Sequence, residues 1–475
     1  MHASYQLVQR GPEMNRSDGS PRHSLAGGPG RTPRKRFAAP SIRGRLGFDA
    51  RSPFMTIAFE PFAPELRADP YSTYRRLRDE APVVFAPEAN VWCVTRYDDV
   101  MQVLKDHDTF SSNGMRIMLM QSGKEGPPPL EWRLFRFIGL VALKARMHPK
   151  NFGTARGLIM EDGAEHSEMR TIVNRGFTPR RIGRLEPRIR EVAAACTARL
   201  ERGEDFDVMK DLAVPLPVTM ISELLGIESG MLDTFKGWTD TVVESISTNE
   251  GRADRLAAPF VDMFVNMSAY LRKTARARRK DPKGDLISQI VAVQDGKQLS
   301  DYDIVTFVMV LLIAGNETTT NLIGNAVNAL LDHPDQLEKL IADPTLVEST
   351  LEETVRYDGP VQMLFRQTTR ETEIRGVRIP KGAMVAPILG SANRDERQFG
   401  EPDRFDIERR AQGHVGFGFG KHFCLGSSLA RLEARCAIEA LLPHLEKRTR
   451  IETRREWVDS FLVRGPTEIR LEARH

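Results

Sequence analysis

Between about residues 165 and 356, apolar side chains return every three or four positions, the spacing that gives a helix one buried face. "RIREVAAACTARLERG", "APFVDMFVNMSAYLRKTARARRK" and "LVESTLEETVRY" carry it most clearly. Two passages switch to short apolar runs bounded by turn residues. "PVVFAPEANVWCVTRY" (82–97) predicts two short strands around a turn at Pro87 to Asn90. "TEIRGVRIPKGAMVAPILGSAN" (372–393) predicts a strand-rich stretch whose turn carries Pro380 and Gly382. A last long helix is expected from about 425 to 445. The pattern describes a mainly α protein with small β-sheets, and from Met55 onward no linker, repeat or low-complexity tract divides it.

One predicted helix is unusually long. Ser300 and Asp303 form an S-x-x-D capping signature, and the periodic residues run on to about Leu331, where His333-Pro334 stops them. Some thirty residues span roughly 45 Å, enough to cross a domain. The first half is apolar on every side, as in a helix buried at the centre of a fold. "AGNETTT" (314–320) then interrupts it with Gly315, an acid and three threonines. A glycine there costs up to ~1 kcal/mol against alanine, and its place beside polar groups in a buried helix calls for a reason.

Composition narrows the class. The 475 residues are 41% hydrophobic and 28% charged, a balance that can bury a large core. The net charge of +4 is uneven. Residues 1–54 hold ten Lys or Arg against three Asp or Glu, a surplus of +7, so the other 421 residues net −3. Nothing in that near-neutral body suggests nucleic-acid binding. The basic head, centred on "GGPGRTPRKRFAAP", is expected to be disordered, either a solvated tail or an upstream start before Met55. It has no apolar signal-peptide run. The longest apolar stretch, Ile304 to Ala314, is eleven residues and too short to predict a membrane span. Cys93, Cys196, Cys424 and Cys436 form no CxxC pair, which points to a reducing cytoplasm.

Chemistry concentrates in "FGFGKHFCLG" (417–426). Cys424 lies where a glycine-rich loop turns into a helix, so backbone N–H groups and the helix dipole should favour its thiolate. Gly418, Gly420 and Gly426 let the backbone pass close to something flat or bulky. A buried structural cysteine and a catalytic nucleophile remain open beside a ligand. "EHSEMR" places His166 and Arg170 on one helical face, Arg366 follows "PVQMLF", and His422 stands two before Cys424. Each alone reads as an ordinary surface or ion-paired residue. Together they would suit a ligand bearing carboxylates. Glu353 and Arg356 are spaced to pair along a helix, and Arg404 in "PDRF" offers a third member.

These residues resemble the cytochromes P-450. "FGFGKHFCLG" matches their haem-binding loop at every defined position, "AGNETT" is similar to their distal helix motif, and "ETVR", "PDRF" and "HSEMR" are similar to three further motifs. All five stand in family order, and the resemblance covers about residues 56–475, in the spelling of the soluble bacterial branch. It implies a single large haem domain, 55–475, of the cytochrome P-450 fold. Cys424 would be the axial ligand of haem b iron and Phe417 would shield the sulfur. His166, Arg170, Arg366 and His422 would anchor the propionates. Glu353, Arg356 and Arg404 would form a structural triad. Thr318 would return its hydroxyl to the Ala314 carbonyl, loosening the helix, and Glu317 would feed protons from bulk; small residues at Ala314 and Gly315 leave room for O2 and water.

The family's pocket segments map to the stretch before His166, the helix pair around 230–280, Val310, Ile313, Val361, Gln362, Leu364 and Phe461. They are apolar apart from Gln362, which points to a hydrophobic small molecule as substrate. With no dinucleotide motif and no room for a flavin or iron–sulfur domain, NAD(P)H would act indirectly. Electrons would come through a ferredoxin or flavodoxin and its reductase, docked on the cysteine side near Lys421 and Arg431. A cytoplasmic monomer is expected. A peroxide-driven oxygenase and a non-catalytic haem sensor or electron carrier are the rival readings. The long segment 111–160 departs from most members and reads as a Met-rich lid or a partner contact.

Overall fold

The apolar run from Ile304 becomes a helix of 32 residues, Asp301–Asp332, roughly 48 Å long. Ser300 Oγ accepts the Asp303 N–H and the Asp303 carboxylate accepts the Ser300 N–H, both at 3.1 Å, so the predicted cap is a reciprocal box. His333 ends the helix and Pro334 opens the next, Pro334–Ala342. Ile304, Val308, Leu312, Ile323, Val327 and Leu330 are fully buried. Among the described residues this is the one helix long and apolar enough to cross a bilayer. Those positions face protein.

The computed structural model describes residues 58–120, 157–246, 253–292, 298–446, 448–451 and 455–473, all within the unit Arg51–His475. The basic head up to residue 57 and most of the long segment, 121–156, lie outside them. Helices Ala253–Lys280, Val347–Tyr357 and Ser427–Leu445 pack against the central helix, and Glu186–Glu201 packs on Ser427–Leu445.

Strands β1 (Val83–Ala86) and β2 (Val91–Val94) form the expected hairpin, with Asn90 at φ 51° closing its turn. They join β3 (Phe110–Ser111), β5 (Arg366–Thr368) and β8 (Met384–Pro387) in a five-stranded sheet of order β1-β2-β8-β5-β3. Only the β2–β8 pair is parallel there. A second sheet runs β4-β10-β9, from Phe206–Asp207, Arg470–Ala473 and Arg448–Arg450.

The passage 372–393 resolves into β6 (Thr372–Ile374), β7 (Val377–Ile379) and β8. Arg375 and Gly376, at φ 51° and 77°, make a tight hairpin turn between the first two. After β8 the chain coils into a short helix, Leu389–Ala392, where the strand pattern was expected to continue. All four of its residues are buried, so they read equally well as strand or helix.

Candidate functional site: a thiol facing a cation cradle

Gly418 and Gly420, at φ 71° and 69°, fold the loop before Cys424, and the Cys424 N–H donates to the Phe417 carbonyl at 2.9 Å. Helix Ser427–Leu445 starts three residues later, after Gly426. Burial pushes the Cys424 thiol up, while the Gly426 and Ser427 N–H groups and the Arg170 and Arg431 guanidiniums pull it down. The net effect opposes the thiolate preference expected from the helix dipole. Phe417 is half-buried under the Arg431 guanidinium, 4.2 Å from the ring centroid. Arg431 is held by Glu352 at 2.5 and 2.9 Å, so it is not the free surface cation that its sequence context suggested.

The four predicted cations converge beside this loop. The His166 and His422 rings lie 4.1 Å apart, and His422 Nε2 meets Ser112 Oγ at 2.8 Å and Asp162 at 3.7 Å. His422 also feels Arg366 and Arg170, and Arg170 feels Cys424. Burial would raise Asp162, but hydrogen bonds from His422, Ser111 and Ser112 outweigh it and hold that carboxyl well below the usual range. One carboxylate serves two guanidiniums and two imidazoles. His166 Nε2 and Arg366 Nε are buried without any acceptor. Burial, then His422 and Arg170, lower His166 to about 4, and burial lowers Arg366 to about 10. A ligand carrying carboxylates fits this set.

On the central helix the Thr318 hydroxyl donates to the Ala314 carbonyl at 2.5 Å. Ala314 is exposed in the middle of an otherwise buried helix, and a Cβ at Gly315 would meet nothing within 4 Å. This face is open. Burial alone pushes Glu317 up to about 7.

Glu353 and Arg356 form a buried two-pronged pair, both contacts 2.7 Å, and Arg356 also donates to the carbonyls of Asn393, Pro402 and Arg404. The third arginine is Arg409, whose Nε lies 3.2 Å from Glu353 Oε1. Arg404 gives only its carbonyl, and its side chain is 55% exposed. Phe405 is buried in the core, which turns its neighbour outward. Glu433, 3% exposed on helix Ser427–Leu445, is a further buried carboxyl that burial pushes up to about 8.

Among the expected pocket residues, Val310, Val361 and Leu364 are partly buried, and the side chain of Ile313 lies outside the described set. Gln362 lines a small cavity with Phe62 and Phe461, and its Nε2 donates to Gly359 O at 2.9 Å and to Tyr71 Oη at 3.4 Å. Phe461 stacks on Phe62 at 4.4 Å instead of standing alone. Two contributors had no sequence signal, because their partners are far along the chain. His107 accepts the Lys421 N–H at 3.4 Å, 5.5 Å from the His422 ring. Arg116 pairs with Glu161 at 2.5 Å.

A partly buried thiol on a glycine loop, buried nitrogens without partners beside it and an open patch on the central helix make up the candidate site. The chain belongs to the cytochrome P450 family: residues 203–472 match the family model described as Cytochrome P450. The vitamin D(3) 25-hydroxylase of Pseudonocardia autotrophica is 38% identical over 378 residues, 78% of this chain and 85% of that protein. The erythromycin C-12 hydroxylase of Saccharopolyspora erythraea is 37% identical over 377 residues, 78% of this chain and 86% of that protein. The crystal structure of CYP109E1 from Bacillus megaterium in complex with corticosterone matches with a TM-score of 0.73 at 32% identity, over 86% of this chain and 99% of that one. The protein is a cytochrome P450 monooxygenase, a haem-dependent oxidoreductase of bacterial type.

Proposed function

We propose that the protein inserts one oxygen atom of O2 into a hydrophobic small molecule, using electrons passed from NAD(P)H through a ferredoxin- or flavodoxin-type carrier and its reductase. The carrying observation is a pair of buried nitrogens, His166 Nε2 and Arg366 Nε, with no hydrogen-bond partner in the protein beside Cys424. A buried donor left unpaired costs about 1–3 kcal/mol, more when charged. The two propionates of haem b would satisfy them, with Arg170 and His422 completing the cradle.

When bound, haem supplies the redox chemistry that activates O2. Cys424 would hold its iron, and the metal's charge offsets the burial that otherwise favours the thiol. Phe417 covers the sulfur side. Thr318 keeps its proton against the Ala314 carbonyl, on the face left open by Ala314 and Gly315. Glu317, titrating near neutrality, passes protons inward. Val310, Val361 and Leu364 exclude water from the reacting group. Glu353, Arg356 and Arg409 hold the fold behind the site.

The electron carrier would dock on the outer side of the cysteine loop. Phe419 and Phe423 are 40% and 39% exposed there, Lys105 sits 5.2 Å over the Phe419 ring, and Lys421 is exposed alongside. An apolar pair ringed by cations suits an acidic carrier. Relatives named for vitamin D(3) and erythromycin hydroxylation, and one solved with corticosterone, favour a bulky apolar substrate. We take residues 55–475 as the haem domain and the cytoplasm as its location.

The test is turnover of steroids and macrolides with NADPH, ferredoxin and reductase under isotope-labelled dioxygen. One labelled oxygen in the product is expected. Unlabelled product, or equal turnover with peroxide alone, would overturn the reading.

A further inference from the structure

Gln362 was the one polar handle the sequence offered, and its amide nitrogen is already committed to Gly359 and Tyr71, which leaves Oε1 without a partner. Arg116 is not so committed. It lies on helix Asn113–Met120, which directly follows Ser112, the residue bonded to both His422 and Asp162. Gly114 lies flush on Arg366, where a Cβ would come within 2.3 Å of backbone. The partner of Arg116, Glu161, directly precedes Asp162. The segment holding Glu161 also reaches the central helix, since a Cβ at Gly157 would sit 3.7 Å from Thr306 Cγ2. The pair therefore stands between the cradle and the open-faced helix. Apolar residues neighbour the pair along the chain, where Met115 packs with Met363 and Phe365 and Met118 and Ile159 pack against them, and Glu165 hydrogen-bonds Glu161.

A guanidinium has five N–H donors. Arg116 spends one on Glu161, and its Nε–H is buried with no acceptor. Burial raises the Glu161 carboxyl and Arg116 pulls it down. A half-satisfied arginine in an apolar wall is a poor structural tie but a ready site for a planar anion.

We propose that Arg116 is the polar anchor of the substrate pocket and takes a carboxylate on an otherwise apolar substrate, while Glu161 holds the guanidinium in place. This rests on the monooxygenase reading above. The test titrates the ferric protein with dodecanoic acid and with methyl dodecanoate, following the shift of the haem band. The parent is expected to bind the acid about tenfold tighter than the ester, the factor one charge-assisted hydrogen bond supplies. Arg116→Gln removes that preference and leaves ester affinity unchanged; Arg116→Lys keeps part of it. If Arg116→Gln fails to hold haem, Glu161→Gln carries the test, and the acid then tightens against the ester. Equal affinity for acid and ester in the parent would overturn the proposal, as would equal weakening of both in Arg116→Gln or an unchanged ratio in Glu161→Gln. A parent protein showing no thiolate-ligated haem would overturn the functional reading itself, before any titration.

Discussion

Around the cysteine loop, outside the cradle of His166 and Arg366, the charged groups have fixed partners. Glu352 holds both Arg431 and His414, Glu353 holds Arg356 and Arg409, and Asp162 ties Ser111, Ser112 and His422 together. On the pocket side, partners are few. Arg116 has one contact, Glu317 is buried without a charge to balance it, and the face at Ala314 and Gly315 is open. The networks around the loop are over-determined because they hold the fold, while His166 Nε2 and Arg366 Nε beside them are left without partners. The pocket side keeps unmet polar capacity because its occupants are meant to change. Residual unsatisfied groups therefore mark where a ligand belongs, and saturated networks mark where the fold is being held.

That contrast can be broken by substitution. Arg356→Ala leaves Glu353 buried with only Arg409 as an ionic partner and should cost about 3 kcal/mol in denaturant unfolding. A cost under 1 kcal/mol would remove the claim that this network holds the fold. Glu433 sharpens the same side through pH. Its folded pKa, about 8, lies above the ordinary carboxyl value, so the folded state keeps a proton that the unfolded state has already released. Stability should then fall as pH rises from about 4.5 to 8. Glu433→Gln abolishes that slope, and the gap to the parent widens toward pH 8 by on the order of 5 kcal/mol. A gap independent of pH contradicts the assignment.

On the pocket side, Glu317→Gln should leave the melting temperature nearly unchanged and slow product formation about 10²-fold. The parent rate should fall as pH rises through about 7, where Glu317 loses its proton, and the variant should lack that limb. The smallest effect is expected for Arg404→Ala, within about 0.5 kcal/mol of the parent, because an exposed arginine paired to Glu401 contributes little. A large loss there would return Arg404 to the triad in place of Arg409.

Much of this was legible in the sequence wherever the physics is local. Ser300 and Asp303 cap a helix within one turn, Glu353 and Arg356 pair within another, and the glycines before Cys424 act on their own loop. What failed needed the tertiary path of the chain. Arg404 and Arg409 share one loop, and only the burial of Phe405 decides which guanidinium turns inward. The Arg116–Glu161 pair and the His107 contact to Lys421 join residues far apart in sequence, and no spacing rule announces them. Residues 389–392 became helix because a fully buried run carries no period to distinguish the two forms.

The most direct test of the account is the carbon monoxide difference spectrum of the reduced protein beside Cys424→Ser. The account predicts the red-shifted band of a thiolate-ligated haem in the parent and its loss in the variant. A band typical of histidine-ligated haem in the parent, or an unchanged red-shifted band in the variant, would contradict it.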